Sequence, residues 1–313
     1  MNIVFLDADT IGKDISLAPL EALGGLKVFG KTLPNELTER IKNAGIIITN
    51  KVVLRQPEID AATQLKLICI TATGTNNIDT AYAAEKGIAV KNVANYSTES
   101  VVQTTFASLL ALINHISYFD YYVKSGAYST SSIFTHFGRT FSELAGKSFG
   151  VIGMGAIGER VAGVASAFGA KVSYYSTSGK HKHPHYPSLS LSELLHQSDV
   201  VSIHAPLNEK TNNLIDYAAL QMMKPSAVLI NMGRGGIVNE DALAKAIDQN
   251  LIAGAAIDVY AHEPLPDDHP YLCVNNKQKL ILTPHVAWSS TEARARVVQF
   301  TAKNIEDFLA SQP

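Results

Sequence analysis

A chain of 313 residues is longer than a single hydrophobic core usually grows, so two domains are the first expectation. Its 26 basic and 28 acidic side chains leave a formal charge of −2, and 46% of residues are hydrophobic, an ordinary globular composition without the basic field that attracts nucleic acid. The start MNIVFLDADT has no basic residue and carries Asp7 and Asp9 in its apolar stretch, against a signal peptide, and the longest apolar run, around Phe106, falls far short of the roughly 18 residues of a membrane span.

Apolar strand-like runs then alternate with helix-like stretches from end to end, the pattern of parallel sheets covered by helices. In chain order the first half reads NIVFLDAD, LKVFG, GIIITN, LKLICITAT and IAVKNV, with helical stretches such as ELTERIKNA and DTAYAAEKG between them. This predicts a small open α/β unit of about five strands. Cys69, in the fourth of these runs, and the distant Cys273 have no ligand-like neighbours, which suits a reducing cytoplasm and no disulfide framework.

From 97 to 117 the sequence STESVVQTTFASLLALINHIS predicts a helix of about five turns capped by Ser97 or Thr98, a natural connector between domains. That pattern fails between 120 and 142, where Tyr121, Tyr122, Tyr128, Phe134, Phe137 and Phe141 are scattered among Ser, Thr and Gly. Disordered segments are poor in aromatics, so an extended arm that packs on something is the expectation. A second α/β unit follows, from Lys147 to about Pro284. The final stretch SSTEARARVVQFTAKNIEDFLA predicts a helix capped by Ser289 or Ser290 that packs back on the first unit. The expected domains are therefore 1–97 plus 286–313, discontinuous, and 98–285, which includes the connecting helix and an arm at about 118–142.

Within the second unit, Gly153, Gly155 and Gly158 form G-x-G-x-x-G between the strand FGVIGM and a helix, with a further strand AKVSYYS beyond it. The first glycine permits a tight turn, the second lets backbone approach a pyrophosphate, and the third lets helix pack closely on strand. Amides at the start of that helix bind the anion. An acidic residue normally follows at the end of the second strand to hold the ribose 2′-hydroxyl; here that position is Ser176, with Lys180, His181 and Lys182 just after it. A neutral hydroxyl does not repel a 2′-phosphate, so NAD is the expected cofactor and NADP stays open, as does the reading of the basic residues as a solvated loop. His181, His183 and His185 surround Pro184 without Cys, Asp or Glu nearby, so the loop lacks the ligand set of a metal site, and no metal is expected.

Three motifs close the second unit: NMGRGGIVNEDAL at 231–243, DVYAHEP at 258–264 and TPHVAW at 283–288. Each places one functional side chain, Arg234, Glu263 or His285, just past a strand-like run. The carboxyl ends of parallel strands open toward one crevice, so these residues can converge from distant positions. They supply a fixed cation, a carboxylate and an imidazole, the minimum for binding a small acid and moving a proton. Reduction of a 2-oxo acid needs a hydride at the carbonyl carbon and a proton at the oxygen, which a protonated His285 can give. Free imidazole titrates near about 6.5, so a carboxylate such as Glu263 would help keep it charged at neutral pH. Arg234 offers a planar fork for a substrate carboxylate. The loop at 73–77 follows the strand LKLICITA and should face the same cleft; Asn50 and Lys51, after GIIIT, are candidates for the substrate rim and equally for turn residues.

The set GMGAIG, HAPL, NMGRGGIV, AIDVYAHEP and TPHVAW resembles the D-isomer-specific 2-hydroxyacid dehydrogenases over nearly the whole chain, and TATGTNNID, NYSTESVVQTTFA and PHVAWSSTEAR are most similar to the glycerate dehydrogenase or hydroxypyruvate reductase branch. The resemblance implies two doubly wound parallel-sheet domains, a flavodoxin-like substrate domain and a Rossmann domain. It implies that Arg234, Glu263 and His285 are catalytic and that amides of Gly74, Thr75 and Asn76 receive the substrate carboxylate, with Thr73 near the cofactor. It further places Ala156 and Ile157 at the pyrophosphate, Ala205 and Pro206 along the adenosine, Met232 beside Arg234, Asp258 near the nicotinamide amide and Trp288 as a pocket wall. The activity implied is hydride transfer between a nicotinamide cofactor and a small D-2-hydroxy acid, with hydroxypyruvate or glyoxylate as first choice and D-lactate or phosphoglycerate types as alternatives. Relatives also imply a homodimer built on the arm, whose aromatics suit an isologous interface, although packing within the chain would use them equally well. The competing reading is a dinucleotide-sensing, corepressor-like interaction protein on the same fold, which the lack of a long tail disfavours.

Overall fold

A computed structural model describes residues 1–179 and 182–312; Lys180 and His181 of the basic loop lie outside the described residues. The chain divides into two compact units, Met1–Ser97 with Ser289–Pro313, and Thr98–Trp288. Both are α/β, as the alternation of runs required. No helix among the described residues is long and apolar enough to cross a membrane.

The first unit has five parallel strands, β1 (Ile3–Phe5), β2 (Leu26–Val28), β3 (Ile46–Thr49), β4 (Leu67–Ile70) and β5 (Ala89–Lys91), in the order β2-β1-β3-β4-β5. β1, β3 and β4 are buried along their whole length, as continuous apolar runs covered on both faces must be. This is the flavodoxin-like order, with its switch point between β1 and β3. The helix Thr291–Ala310 packs on β4 and belongs to this unit. Ser290 caps it by accepting the Ala293 N–H, and Arg294 ties it down by donating to the Ile11 carbonyl at 2.8 Å and pairing with Asp14.

The second unit has six parallel strands, β6 (Ser148–Ile152), β7 (Lys171–Tyr175), β8 (Val200–Ile203), β9 (Val228–Asn231), β10 (Gly254–Ile257) and β11 (Leu280–Leu282), in the order β11-β10-β9-β8-β6-β7. A single bridge from Tyr174 to Ser188 adds the rudiment of a strand beyond β7, and with it the order is that of the Rossmann fold. Local chemistry starts the helices. Ser190 and Glu193 form a capping box, and Asp216 and Asn239 cap the helices Tyr217–Met222 and Glu240–Asp248 with their side chains.

Two sequence expectations change here. The connecting helix Thr98–Ile113 stops after 16 residues, because His115 turns left-handed at φ +52, and the arm is not extended at its start but forms a second helix, Ile116–Lys124. The helix has no fully buried residue, and its partly buried face, Tyr118, Phe119 and Tyr122, is too short to show a clear period. The second crossing between units comes at Trp288 rather than after His285. Val286 and Ala287 stay with the second unit because their amides donate to the Asp258 carboxylate.

Candidate functional site

The glycine loop lies at the switch point of the second sheet, where β6 and β8 part. Gly153 turns the chain at φ +92, and a Cβ there would come within 2.9 Å of the Ala205 backbone after β8. A Cβ on Gly158 would collide with the Gly153 carbonyl, whereas one on Gly155, at the start of the helix Ala156–Ala167, would meet nothing within 4 Å. The first and third glycines are thus demanded by the fold itself. The second is not, and its open space lies beside the first amides of the helix, those of Ala156 and Ile157 included, which a helix does not pair internally.

β7 ends at Tyr175, and the next side chain, Ser176, has its hydroxyl shielded from solvent without a hydrogen-bond partner among the described residues. Beyond it opens a cavity of about 660 Å³ lined by Thr177, Ser178, Pro206, Asn208, Glu209 and Lys210. Ala205 is buried and Pro206 exposed at its edge. In the loop that follows, His183 stacks on Tyr186 with ring centres 4.7 Å apart and lies 3.4 Å from Glu159, so its ring is engaged with its own surroundings.

The next three strand ends carry the polar chemistry. Asn231, at the end of β9, is buried and uses its amide to shape the following turn, accepting from the Gly233 N–H at 3.1 Å and donating to the Arg234 carbonyl at 3.0 Å. Met232 points into the core. Arg234, partly exposed, donates from Nη1 only to the Gly233 carbonyl and has no carboxylate partner among the described residues. Gly235 lies against the Tyr260 carbonyl, closer than any Cβ permits, which brings the loop of Arg234 onto the loop after β10.

After β10, Asp258 is 1% exposed. Its carboxylate accepts from Thr283 Oγ1 at 2.6 Å and from the amides of Val286 and Ala287 at 2.8 and 2.9 Å, so the side chain grips the loop after β11. Burial pushes its pKa up, and these donors pull the other way. Within that loop His285 takes φ +54. Its Nδ1 lies 2.7 Å from Glu263 Oε2, while Glu263 Oε1 accepts the Tyr260 N–H at 3.0 Å. No described residue bonds the remaining ring nitrogen, Nε2. The Tyr260 hydroxyl donates to the Thr283 carbonyl at 3.0 Å; burial first, and then the charges of Asp258, Glu263 and Glu240, push it up to about 12. Trp288, partly buried, packs on the core behind this loop, and Ser100 Oγ donates to the Ala287 carbonyl. An imidazole oriented by a carboxylate, with its far nitrogen open, can pass a proton; an unpaired guanidinium can hold an anion.

The first unit gathers its own candidates at the ends of β3 and β4. Asn77 Nδ2 donates to the Val52 carbonyl at 3.0 Å and Leu54 bridges to Ile78, so the loops of Asn50 and of 73–77 are joined. The amides of Asn50, Lys51 and Val52 all donate to the buried carboxylate of Asp7, which leaves only side chains at Asn50 and Lys51 to meet a ligand. The amides of Gly74, Thr75 and Asn76 differ, since none of them donates to a described residue. Thr73 spends its hydroxyl on the Val93 carbonyl at 3.0 Å.

Sequence reading passed over Asp7, Asn231 and Tyr260 as functional supports. Asp7 and Asn231 did carry a signal, a polar residue ending an apolar strand run; Tyr260 carried none. A further cavity of about 260 Å³, at the opposite edge of the second sheet beneath Arg139 and Phe141, contains none of the candidate residues.

Comparison with known proteins bears on this geometry. Residues 106–287 match the family described as D-isomer specific 2-hydroxyacid dehydrogenase, NAD binding domain. The chain is 36% identical to a glycerate dehydrogenase of Methylorubrum extorquens, over 100% of this chain and 97% of that one. It is 33% identical to a hydroxypyruvate reductase of Blautia hydrogenotrophica, over 100% and 98%. Among solved structures, an acyclic imino acid reductase in complex with NADPH and D-Arg has a TM-score of 0.88 at 30% identity, covering 100% of this chain and 98% of that one.

Proposed function

Because the chain belongs to the D-isomer specific 2-hydroxyacid dehydrogenases, NAD(P)-dependent oxidoreductases acting on a CH–OH group, we propose that its substrates are the smallest 2-oxo acids, hydroxypyruvate and glyoxylate. The observation that carries the catalytic reading is the 2.7 Å pairing of His285 Nδ1 with Glu263, beside a strand end whose Arg234 has no carboxylate partner among the described residues. The relatives named glycerate dehydrogenase and hydroxypyruvate reductase support the choice of substrate.

Arg234 holds the substrate carboxylate in its planar fork and polarises the neighbouring carbonyl. The bound nicotinamide supplies the hydride. His285 delivers a proton from Nε2 to the carbonyl oxygen as negative charge develops there, and in the oxidative direction takes it from the hydroxyl. Glu263 keeps Nδ1 protonated, so that Nε2 is the nitrogen that exchanges, and stabilises the imidazolium. Within the first unit, the amides of Gly74, Thr75 and Asn76, which donate to no described residue, offer a carboxylate receptor of their own, with Asn50 and Lys51 at its rim.

The cofactor fits the residues present. The open space at Gly155 and the amides of Ala156 and Ile157 suit a pyrophosphate, with Gly153 and Gly158 holding the turn. The Ser176 hydroxyl, without a partner among the described residues, suits a ribose, and β7 ends without an acid, so NAD is the cofactor proposed with NADP admitted beside it. Ala205 and Pro206 border the adenosine side in this reading, and Met232, Asp258 and Trp288 the nicotinamide side.

Nicotinamide absorbance followed with hydroxypyruvate, glyoxylate, pyruvate and phosphohydroxypyruvate, each with NADH and then NADPH, tests the reading. Fastest turnover of hydroxypyruvate and glyoxylate is expected. A preference for pyruvate or the phosphorylated acid would overturn the substrate assignment, and turnover with one cofactor alone would overturn the dual use.

The arm supports a homodimer. Phe134, Phe137 and Tyr121 are 89%, 76% and 72% exposed, a concentration of aromatic surface that monomers avoid. Sedimentation of a Phe134→Ser, Phe137→Ser variant should give the mass of one chain where the wild type gives two. Two free thiols, one of them buried at Cys69, fit a reducing cytoplasm.

A further inference from the structure

Glu240 is the first residue of the helix that follows the Arg234 loop, and its carboxylate reaches across to the loop that carries Glu263. Oε1 accepts the Ala261 N–H at 2.8 Å, and Oε2 lies 3.0 Å from His269 Nε2. His269 is 4% exposed, and its other nitrogen, Nδ1, accepts the Tyr271 N–H at 3.2 Å. A nitrogen that accepts carries no proton, so the ring hydrogen sits on Nε2 and is donated to Glu240. His269 thus donates from Nε2 to Glu240, and both carboxylate oxygens of Glu240 are engaged.

Ala261 stands between the two residues that matter for the histidine. Before it, Tyr260 donates its N–H to Glu263 Oε1; two residues after it, Glu263 turns Oε2 to His285. Tethering Ala261 fixes the turn in which the Tyr260 amide holds one carboxylate oxygen and leaves the other for the imidazole. From this linkage we infer that Glu240, braced by His269, is a positioning residue: it sets the Glu263 carboxylate against His285 and locks the Glu263 loop to the helix that continues from Arg234. The inference rests on the reading in which Glu263 serves His285. Neither Glu240 nor His269 touches substrate or cofactor in this role.

The experiment is a double-mutant cycle in the full chain. Glu240→Ala releases Ala261 and should lower kcat/KM for hydroxypyruvate about tenfold or more, since small misplacements of catalytic groups are costly. Cofactor affinity, read from Trp288 fluorescence, should stay within about twofold. His269→Asn keeps an acceptor for the Tyr271 amide but cannot reach Glu240; it should lower kcat/KM severalfold, and it carries the test should Glu240→Ala fail to fold. In a Glu263→Gln background neither change should reduce the rate further, because residues acting through one group are non-additive. Full activity of both single variants beside an impaired Glu263→Gln would overturn the positioning role, as would losses that multiply in the double variants. A Glu263→Gln enzyme with wild-type rate and pH profile would instead remove the reading on which the inference rests.

Discussion

Asp258 holds His285 at two levels: its carbonyl accepts the His285 N–H at 2.8 Å, and its carboxylate accepts the next two amides, those of Val286 and Ala287. Between these anchors His285 adopts φ +54, a left-handed conformation that costs an L residue about 1–2 kcal/mol. The grip of Asp258 offsets that strain and aims the ring at Glu263. In the proposed role for His285, a proton-transfer group held off its preferred backbone conformation by buried hydrogen bonds is a preorganised one.

Asp258→Asn should therefore act on catalysis through geometry. The amide keeps one acceptor and turns an N–H₂ toward a backbone N–H, leaving a buried donor unsatisfied at a cost of about 1–3 kcal/mol. The expected outcome is a fall in kcat of about 100-fold, with thermal unfolding lowered by several degrees. Steady-state kinetics beside a melting curve check it; wild-type kcat in a destabilised variant would separate the clamp from catalysis.

Glu263→Gln removes the charge that stabilises the imidazolium of His285 but keeps the shape. Without the carboxylate that orients and charge-pairs the ring, kcat at neutral pH should fall about 10- to 100-fold. His285→Ala should remove turnover at every pH while cofactor binding persists. Rate profiles between pH 5 and 9, with Trp288 quenching as the binding readout, decide both.

The glycines of the dinucleotide loop should separate binding from folding. A methyl group at Gly155 enters open space, so Gly155→Ala should fold normally and bind cofactor at least about tenfold more weakly. At Gly158 the methyl meets the Gly153 carbonyl, so Gly158→Ala should lower the melting temperature. Equal effects of the two changes on stability would contradict this division.

His204, after β8, bonds Ser202 Oγ through Nε2, while its Nδ1 is shielded and has no partner among the described residues. Burial pushes its pKa from 6.5 down to about 3. Between those values the unfolded chain binds the proton and the folded one does not, so this contribution to stability is complete above pH 6.5 and is lost as pH falls toward 3. His204→Gln, which cannot titrate, should flatten the decline of the urea midpoint over that window relative to the wild type. Parallel declines in the two proteins would count against a neutral His204 with a shielded ring.

Much of the candidate site was readable from short stretches of chain. Gly153, Gly155 and Gly158 sit between a strand and a helix, and Arg234, Glu263 and His285 each follow an apolar run; a parallel sheet sends all such ends to one edge, so their neighbourhood follows from strand order alone. Caps such as Ser290 and Asn239 are equally local, because a side chain reaching an amide three residues on needs no other part of the fold. The arm helix was not read from the sequence: its stripe of Tyr118, Phe119 and Tyr122 spans barely more than one turn, too short for a period to stand out among scattered aromatics.

The supports of the site belong to another class. Asp258 meets amides 28 and 29 positions away, Asp7 meets those of a loop 43 to 45 positions on, and Glu240 meets Ala261 and His269. Such pairs depend on strand register and on how neighbouring loops stack, and no periodicity or spacing encodes these at the residues themselves. Residue types and their order pointed to the proposed chemistry, because chemistry resides in side chains and strand ends. Only the folded chain could decide which buried carboxylate holds which backbone in place, since those bonds form between segments that only packing brings together.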